Sequence, residues 1–389
     1  MRLLVLCEVL GPDGGTERYL ETVLPALEGR CSALRVLARR ISGAYPALDA
    51  HVVAWSDEHE PPSAAAAEEL RSQVATFRPD LVIAHNVMDA GVMKVARSAS
   101  RLIAHIHDHR VFCPNGDRLF PRTQTICTAT MGTACSINTV LQGCMAGPRP
   151  RSFARLDRRK ALRDTYRAAD AIVTASSYMT REAIANGIER TRIHTLPLPL
   201  PDDAFVDAIA PQPEPEAIVL FSARIAPQKG LRSLIDAIAR ISKKRRPVLR
   251  IAGVGPDLEP SLAHAETRGV ATEVLGRLDR HAMQAAIDAA SVIAVPSLWA
   301  EPFGYVGIEA LARGKPVAAY DVGGVRTWLD DGRNGYLAPV GDTSEMAQAI
   351  IALLDPILHT DFSFSARASA ERYRLAAHVE RLEEVYAAR

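Results

Sequence analysis

The sequence predicts an α/β protein of two doubly wound domains, each a parallel sheet covered by helices on both faces. Three observations predict it. Apolar runs of strand length alternate with helix-length stretches along the 389-residue chain. The order strand, loop, helix that opens the chain returns at Ala217. A proline-rich stretch lies between the two copies. The length fits two domains at roughly 150 residues each, enough for sizeable cores.

The elements follow in order. Arg2–Cys7 (RLLVLC) is a compact apolar run, as a buried parallel strand requires. A glycine-rich loop comes next, and then Tyr19, Leu20, Val23, Leu24 and Leu27 recur at helical spacing. Further strands are expected at Leu34–Ala38, Leu81–His85, Leu102–Ile106, Ala171–Ala175 and Arg192–Leu196. Helices are expected at Ala64–Thr76, Met88–Ser98 and Phe153–Ala168. Six prolines between Leu196 and Glu216 (197, 199, 201, 211, 213 and 215) read as a stiff linker, which places the division near 205–216. Ala217–Phe221 (AIVLF) then opens the second half, with Ser222–Gly230 as its loop and Leu231, Leu234, Ile235 and Ile238 as a helical stripe. Strands are expected at Val248–Ala252, Glu273–Leu275, Val292–Val295 and Val317–Tyr320, and helices at Ala282–Ala289, Tyr305–Arg313 and Ser344–Leu353. Ala368–Arg389 reads as a charged amphipathic helix able to pack back on the first half. The expected domains are therefore 1–205, 206–370 and a terminal helix 371–389, with right-handed crossovers.

Composition narrows the function classes. Lys+Arg is 46 and Asp+Glu is 45, so the formal charge is +1. That balance argues against a globally basic nucleic-acid binder, and the ordinary composition argues against disorder. Met1–Leu10 is apolar but short and runs straight into Gly11-Pro12-Asp13-Gly14-Gly15, a strand entering a loop rather than a leader. No apolar run approaches 18 residues. The expectation is a soluble cytoplasmic protein. Cys7 and Cys31 sit in apolar surroundings and read as buried thiols. Cys113, Cys127, Cys135 and Cys144 cluster in a polar segment without a CxxC pair, which leaves unlinked thiols, a structural metal or disulfides open.

In doubly wound sheets ligands bind at the carboxyl ends of the strands, so the loops there hold the candidate residues. Gly11–Thr16 lets the backbone approach a ligand closely, and the following helix offers amides to an anion; it is not GxGxxG, so a dinucleotide fingerprint is absent. Ser222–Gly230 (SARIAPQKG) carries Arg224 and Lys229, two cations suited to a diphosphate. Ala300–Glu309 (AEPFGYVGIE) places Glu301 at the end of a loop, with the amides of Phe303, Gly304 and Tyr305 at the start of a helix that carries Glu309. Ala104–Arg110 (AHIHDHR) alternates His105, His107 and His109, which share one side if the strand continues, as a metal site or as a histidine touching substrate.

These motifs match a known family. SARIAPQKG, AGVGP, LGRLD and EPFGYVGIEALARGKPVAAYDVGGVRTWLDDGRNGYLAPVGD together resemble the C-terminal half of family 4 retaining glycosyltransferases of the GT-B fold, including their Glu-x7-Glu motif as Glu301 and Glu309. The resemblance is strong over about residues 220–343 and looser before. It implies two facing Rossmann-like domains with a cleft between them. It implies transfer of a sugar, with retention, from a nucleotide sugar (UDP- or GDP-linked) to a hydroxyl on a sugar, lipid-linked glycan or small molecule. Arg224 and Lys229 would hold the diphosphate, Glu301 the donor sugar with the amides of Phe303, Gly304 and Tyr305, and Glu309 the ribose. Gly253, Gly255, Arg277 and Leu278 would lie near the diphosphate and base, and Gly14 and Gly15 at the phosphates. His107 of the His107-Asp108 pair would stand beside the reacting sugar. Two cations and helix amides stabilise a departing diphosphate without a metal or other cofactor. No carboxylate stands out as a nucleophile, so the departing phosphate is expected to deprotonate the acceptor on the same face.

The sequence departs from the family pattern twice. Pro197-Leu198-Pro199-Leu200-Pro201-Asp202 replaces the usual Pro-Asn-Gly-Val-Asp before the linker, and Thr327 stands where a glutamate usually follows the Gly-Gly pair. The acceptor side is less familiar. Arg149, Arg151, Arg155, Arg158, Arg159, Lys160, Arg163 and Arg167 form a basic strip that suits an anionic acceptor or peripheral contact at an inner membrane face, although Asp157 and Asp164 interrupt it and favour a solvated helix face. Two other functions share the fold: a nucleotide-sugar 2-epimerase, and a non-catalytic nucleotide-sugar-binding protein.

Overall fold

Two parallel sheets organise the chain in the computed structural model, which describes residues 1–12, 14–57, 60–145, 149–206 and 217–388. The chain separates into two compact units: Met1–Pro199 together with the segment from Leu375, and Leu200–Arg374. The expected divisions were 205/206 and 370/371. The chain passes between the units where Leu200 N donates to Tyr373 O (2.7 Å) and Leu200 pairs with Arg374 as an isolated parallel bridge. Prolines 211, 213 and 215 of the expected linker lie outside the described residues.

The first unit runs β1 (Arg2–Leu10), α1 (Gly15–Glu28), β2 (Ala33–Ile41), β3 (Asp49–Val52), α2 (Ala64–Phe77), β4 (Leu81–His85), α3 (Ala90–Ala99), β5 (Arg101–Ile106), α4 (Thr133–Leu141), α5 (Arg149–Arg167), β6 (Ala171–Thr174), α6 (Ser177–Ala185) and β7 (Ile193–Thr195). Its strands lie in the order β3-β2-β1-β4-β5-β6-β7, all parallel. The second unit runs β8 (Ile218–Ser222), α7 (Leu231–Arg240), β9 (Val248–Ala252), α8 (Leu258–Arg268), β10 (Thr272–Gly276), α9 (Arg280–Ala289), β11 (Val292–Val295), α10 (Tyr305–Ala312), β12 (Val317–Tyr320), β13 (Gly335–Ala338), α11 (Thr343–Leu353) and α12 (Pro356–Ala370). Its order is β10-β9-β8-β11-β12-β13, again parallel. α13 (Leu375–Ala387) completes the first unit.

In each sheet the order reverses beside the first strand, between β1 and β4 and between β8 and β11. Crossovers leave such a point on opposite faces and so open a crevice at the strand ends. The inner strands β4, β6, β11 and β12 are buried along their whole length, which is why they read as unbroken apolar runs. Side chains set the helix starts: Ser63 accepts from Ala66 N, Asp89 from Gly91 N and Val92 N, and Ser176 from Met179 N.

Three sequence expectations need correction. The single helix expected over Ala368–Arg389 is two, α12 and α13, separated by a 3-10 turn at Glu371–Tyr373. The interruption puts Tyr373 in a buried site, where its hydroxyl donates to Thr327 O (3.1 Å). Cys31 is half-buried rather than buried, because it sits in the turn before β2. The basic strip is not a uniform surface: Arg159 is buried and donates to Arg110 O (3.1 Å), and Arg163 donates to Met131 O (2.8 Å). Those arginines join α5 to neighbouring loops. Arg149 lies in α5, but its side chain is outside the described residues.

Candidate active site

In the second unit four loops meet at the carboxyl end of the sheet. Gly230, after β8, has a φ of 75° and lies so close to the loop after β11 that a Cβ there would stand 1.9 Å from Pro296 O. Gly323, after β12, has a φ of 57°, and a Cβ there would meet Glu301 O at 2.2 Å. Only glycine permits both the left-handed backbone and the approach. Backbone bonds lock the same contacts: Leu298 N donates to Gln228 O (2.9 Å), Gly324 N to Glu301 O (2.7 Å) and Ile225 N to Val254 O (2.9 Å).

This frame brings Lys229 and Glu301 together. Lys229 lies in a 3-10 turn, Pro227–Lys229, and its Nζ donates to Glu301 Oε1 at 2.5 Å. The ammonium also lies over the Trp299 ring, 4.7 Å from its centroid. Ser297 Oγ donates to the same Glu301 oxygen at 2.8 Å. Burial pushes the Glu301 carboxyl up, but the Lys229 charge and hydrogen bonds from Lys229, Trp299 and Ser297 outweigh it and hold the group below the usual carboxylate range. Glu301 is thus an anion held almost fully buried, and Lys229 a cation aimed by it.

Glu301 stands before the helix and not on it. Gly304, with a φ of 94°, caps α10, which begins at Tyr305 and carries buried Glu309. Phe303 is buried and its carbonyl accepts from Trp328 Nε1 (2.6 Å), which fixes the entry to the helix. Gly253 and Gly255, after β9, pack against the backbone of Ala223 and Ile225. Arg224 is exposed on the β8 loop, Arg277 is exposed just after β10, and Leu278 beside it is half-buried. The expected cations therefore differ: Lys229 is anchored, while Arg224 projects into solvent. Ser297 and Trp299 were not singled out from sequence, since neither stands in a charged or glycine-rich motif.

The first unit gathers histidines at the corresponding end of its sheet. The expected row of His105, His107 and His109 does not form, because β5 ends at Ile106. Asp108 then caps a 3-10 turn that turns buried His109 toward Tyr178, with ring centroids 5.6 Å apart. His85, at the end of β4, takes its place: its Nδ1 lies 2.9 Å from His107 Nε2, and its ring is 4.4 Å from that of His105. Tyr19 packs on all three rings and bonds His378 Nε2 through its hydroxyl (3.0 Å). Burial depresses His85 and His105 well below the ordinary histidine value, and brings His107 and His378 to about 4. Gly14 caps α1 and Gly15 is its first residue; Asp13 of that loop lies outside the described residues. Cys113, Cys127, Cys135 and Cys144 are free thiols, so no disulfide links them.

Residues 13–203 match the model for Glycosyltransferase Family 4, and residues 203–368 match the model for Glycosyl transferases group 1. The chain belongs to the family 4 glycosyltransferases. A phosphatidyl-myo-inositol mannosyltransferase of Mycobacterium leprae (strain TN) is 31% identical to this family member over 198 residues, 48% of this chain and 52% of the relative. A D-inositol 3-phosphate glycosyltransferase 2 of Catenulispora acidiphila is 35% identical over 187 residues, 45% of this chain and 44% of the relative. The chain spans about half the length of the curated relatives it matches. In solved structures the glycosyltransferase fold recurs over the whole chain. The Anabaena Alr3699/HepE protein, in complex with UDP and glucose, superposes with a TM-score of 0.73 at 16% identity over 99% of each chain. The two units are thus Rossmann-like domains of the GT-B class.

Proposed function

We propose that the chain transfers a sugar, with retention, from a nucleoside diphosphate sugar to a hydroxyl acceptor. The observation that carries this reading is the Lys229–Glu301 pair, an anchored cation beside a buried anion at the switch point of the second sheet. Lys229 and Arg224 offer charge to a diphosphate, which develops negative charge as it leaves. Glu301 accepts from donor hydroxyls, supported by the backbone at Phe303, Gly304 and Tyr305, and Glu309 serves the ribose. Gly253, Gly255, Arg277 and Leu278 lie by the diphosphate and base, and Gly14 and Gly15 by the phosphates. His107, half-buried and kept neutral by desolvation, presents a lone pair to the reacting sugar. No resident metal or organic cofactor is part of this reading; the departing phosphate oxygen takes the acceptor proton on the same face. The complex of the Anabaena Alr3699/HepE protein with UDP supports a UDP-linked donor, with a GDP-linked one as the alternative. The acceptor class remains a sugar, lipid-linked glycan or small hydroxylated molecule, met in a cytoplasmic setting with peripheral access to an anionic membrane.

The test is a transfer assay with product stereochemistry read by NMR. Lys229→Ala and Glu301→Ala should each lower transfer by orders of magnitude while retaining folded circular dichroism. Full activity in either variant defeats the assignment, an inverted product defeats retention, and a trapped covalent sugar–enzyme adduct defeats the same-face route. An epimer formed from donor alone would identify an epimerase.

A further inference from the structure

We propose that His85, His105 and His107 form a binding site for one divalent transition-metal ion, of which Zn²⁺ is the model case. One ligand nitrogen from each histidine lies within 4.8 Å of the others. His85 comes from the end of β4, His105 from β5 and His107 from the residue just past it, and β4 and β5 are paired in register at His85 and His105. The backbone that sets the three rings is therefore the sheet itself, a rigid frame for ligands.

The second observation concerns His105. It is 2% exposed, and its Nε2 has no hydrogen-bond partner. A buried ring nitrogen left unsatisfied is costly and calls for an explanation. The contact between His85 Nδ1 and His107 Nε2 satisfies those two atoms but not the third. A single ion ligated by all three nitrogens resolves the whole set. A cavity of about 10 Å³ opens beside the cluster, lined by His105, His107, Tyr19 and His378 among others, and that is about the volume of one small occupant. An all-imidazole donor set suits Zn²⁺, Ni²⁺ or Cu²⁺ rather than Mg²⁺ or Ca²⁺. Three protein ligands leave a fourth position open. His378 stays outside the ligand set, since its Nε2 bonds Tyr19.

Ligation consumes the His107 lone pair. The ion is then an inhibitor of transfer, a consequence that rests on the role proposed above for His107; binding itself does not. The experiment titrates metal-free, full-length protein with Co²⁺ and Zn²⁺. One equivalent of Co²⁺ should give the weak visible absorption of a nitrogen-ligated tetrahedral ion, without sulfur-to-metal charge transfer. Zn²⁺ should displace it, raise the melting temperature and suppress transfer until a chelator is added. His105→Gln and His85→Gln should each weaken Zn²⁺ binding by about tenfold or more in calorimetry. The proposal is overturned if no saturable binding occurs, if both folded variants bind as tightly as the wild type, or if charge transfer places the ion on the cysteines. Saturable binding lost in the variants, in a protein that transfers no sugar under any condition, would sustain the metal site and sink the proposed function instead.

Discussion

Glu301 shows how several weak contacts fix one residue. It takes a cation, a hydroxyl and the indole of Trp299 at a single buried carboxylate. Removing Ser297 Oγ leaves the carboxylate buried with one bond fewer, which costs about 1 kcal/mol. Ser297→Ala should therefore lower kcat/KM about fivefold with a small drop in melting temperature; an unchanged rate would show that Ser297 does not position Glu301. The histidines give a pH prediction. His107 and His378 are held near 4, below their unfolded value near 6.5. The unfolded chain then binds more protons between those limits, so stability is complete above about 6.5 and declines as pH falls toward 4. Melting temperature followed across that range should fall in the wild type and fall less in His378→Gln. At this scale Lys229, Glu301 and Glu309 stood out in the sequence because they lie in loops and a helix start that follow strands, and the structure brings Lys229 against Glu301. His85 was not, because its neighbour His107 lies 22 positions on and only the pairing of β4 with β5 joins them.

Single elements depend on close backbone approaches. Gly230 closes the β8 loop on the β11 loop, and its φ of 75° excludes a Cβ twice over, through conformation and through contact with Pro296 O. Gly230→Ala should cost at least about 2 kcal/mol and weaken nucleotide binding together with stability. A melting curve and a binding isotherm that both match wild type would refute the role given to this loop. Elements buried on both faces, such as β4, β11 and β12, were readable as apolar runs. β3 (DAHV) and β13 (GYLA) were missed for a physical reason: both are edge strands, and β3 is largely exposed, so neither carries the apolar signal of a covered strand. α12 was missed because its buried residues, Phe362, Ser363, Ala366 and Ala370, begin only at its middle, and a serine and two alanines carry little apolar signal.

On the scale of the whole molecule, the first unit is completed by the last helix of the chain. α13 buries His378, Val379, Leu382, Val385 and Tyr386, and Arg101 donates to the carbonyls of Val385 and Tyr386. A chain ending at Arg374 should lose stability in the first unit and expose Tyr19; an unaltered unfolding transition would show that α13 is dispensable. The doubly wound class was legible because two strand–loop–helix openings recur, whereas the interrupted return path depended on tertiary contacts of Tyr373 that no local pattern reveals. On the function proposed above, Lys229 and Glu301 define a nucleotide-sugar site. Calorimetric titration of wild type and Lys229→Ala with UDP-, GDP-, ADP- and dTDP-sugars tests it most directly. The wild type should bind one donor saturably, and the variant should bind it at least tenfold more weakly. Equal affinity in the two proteins, or no binding of any donor, would contradict the assignment.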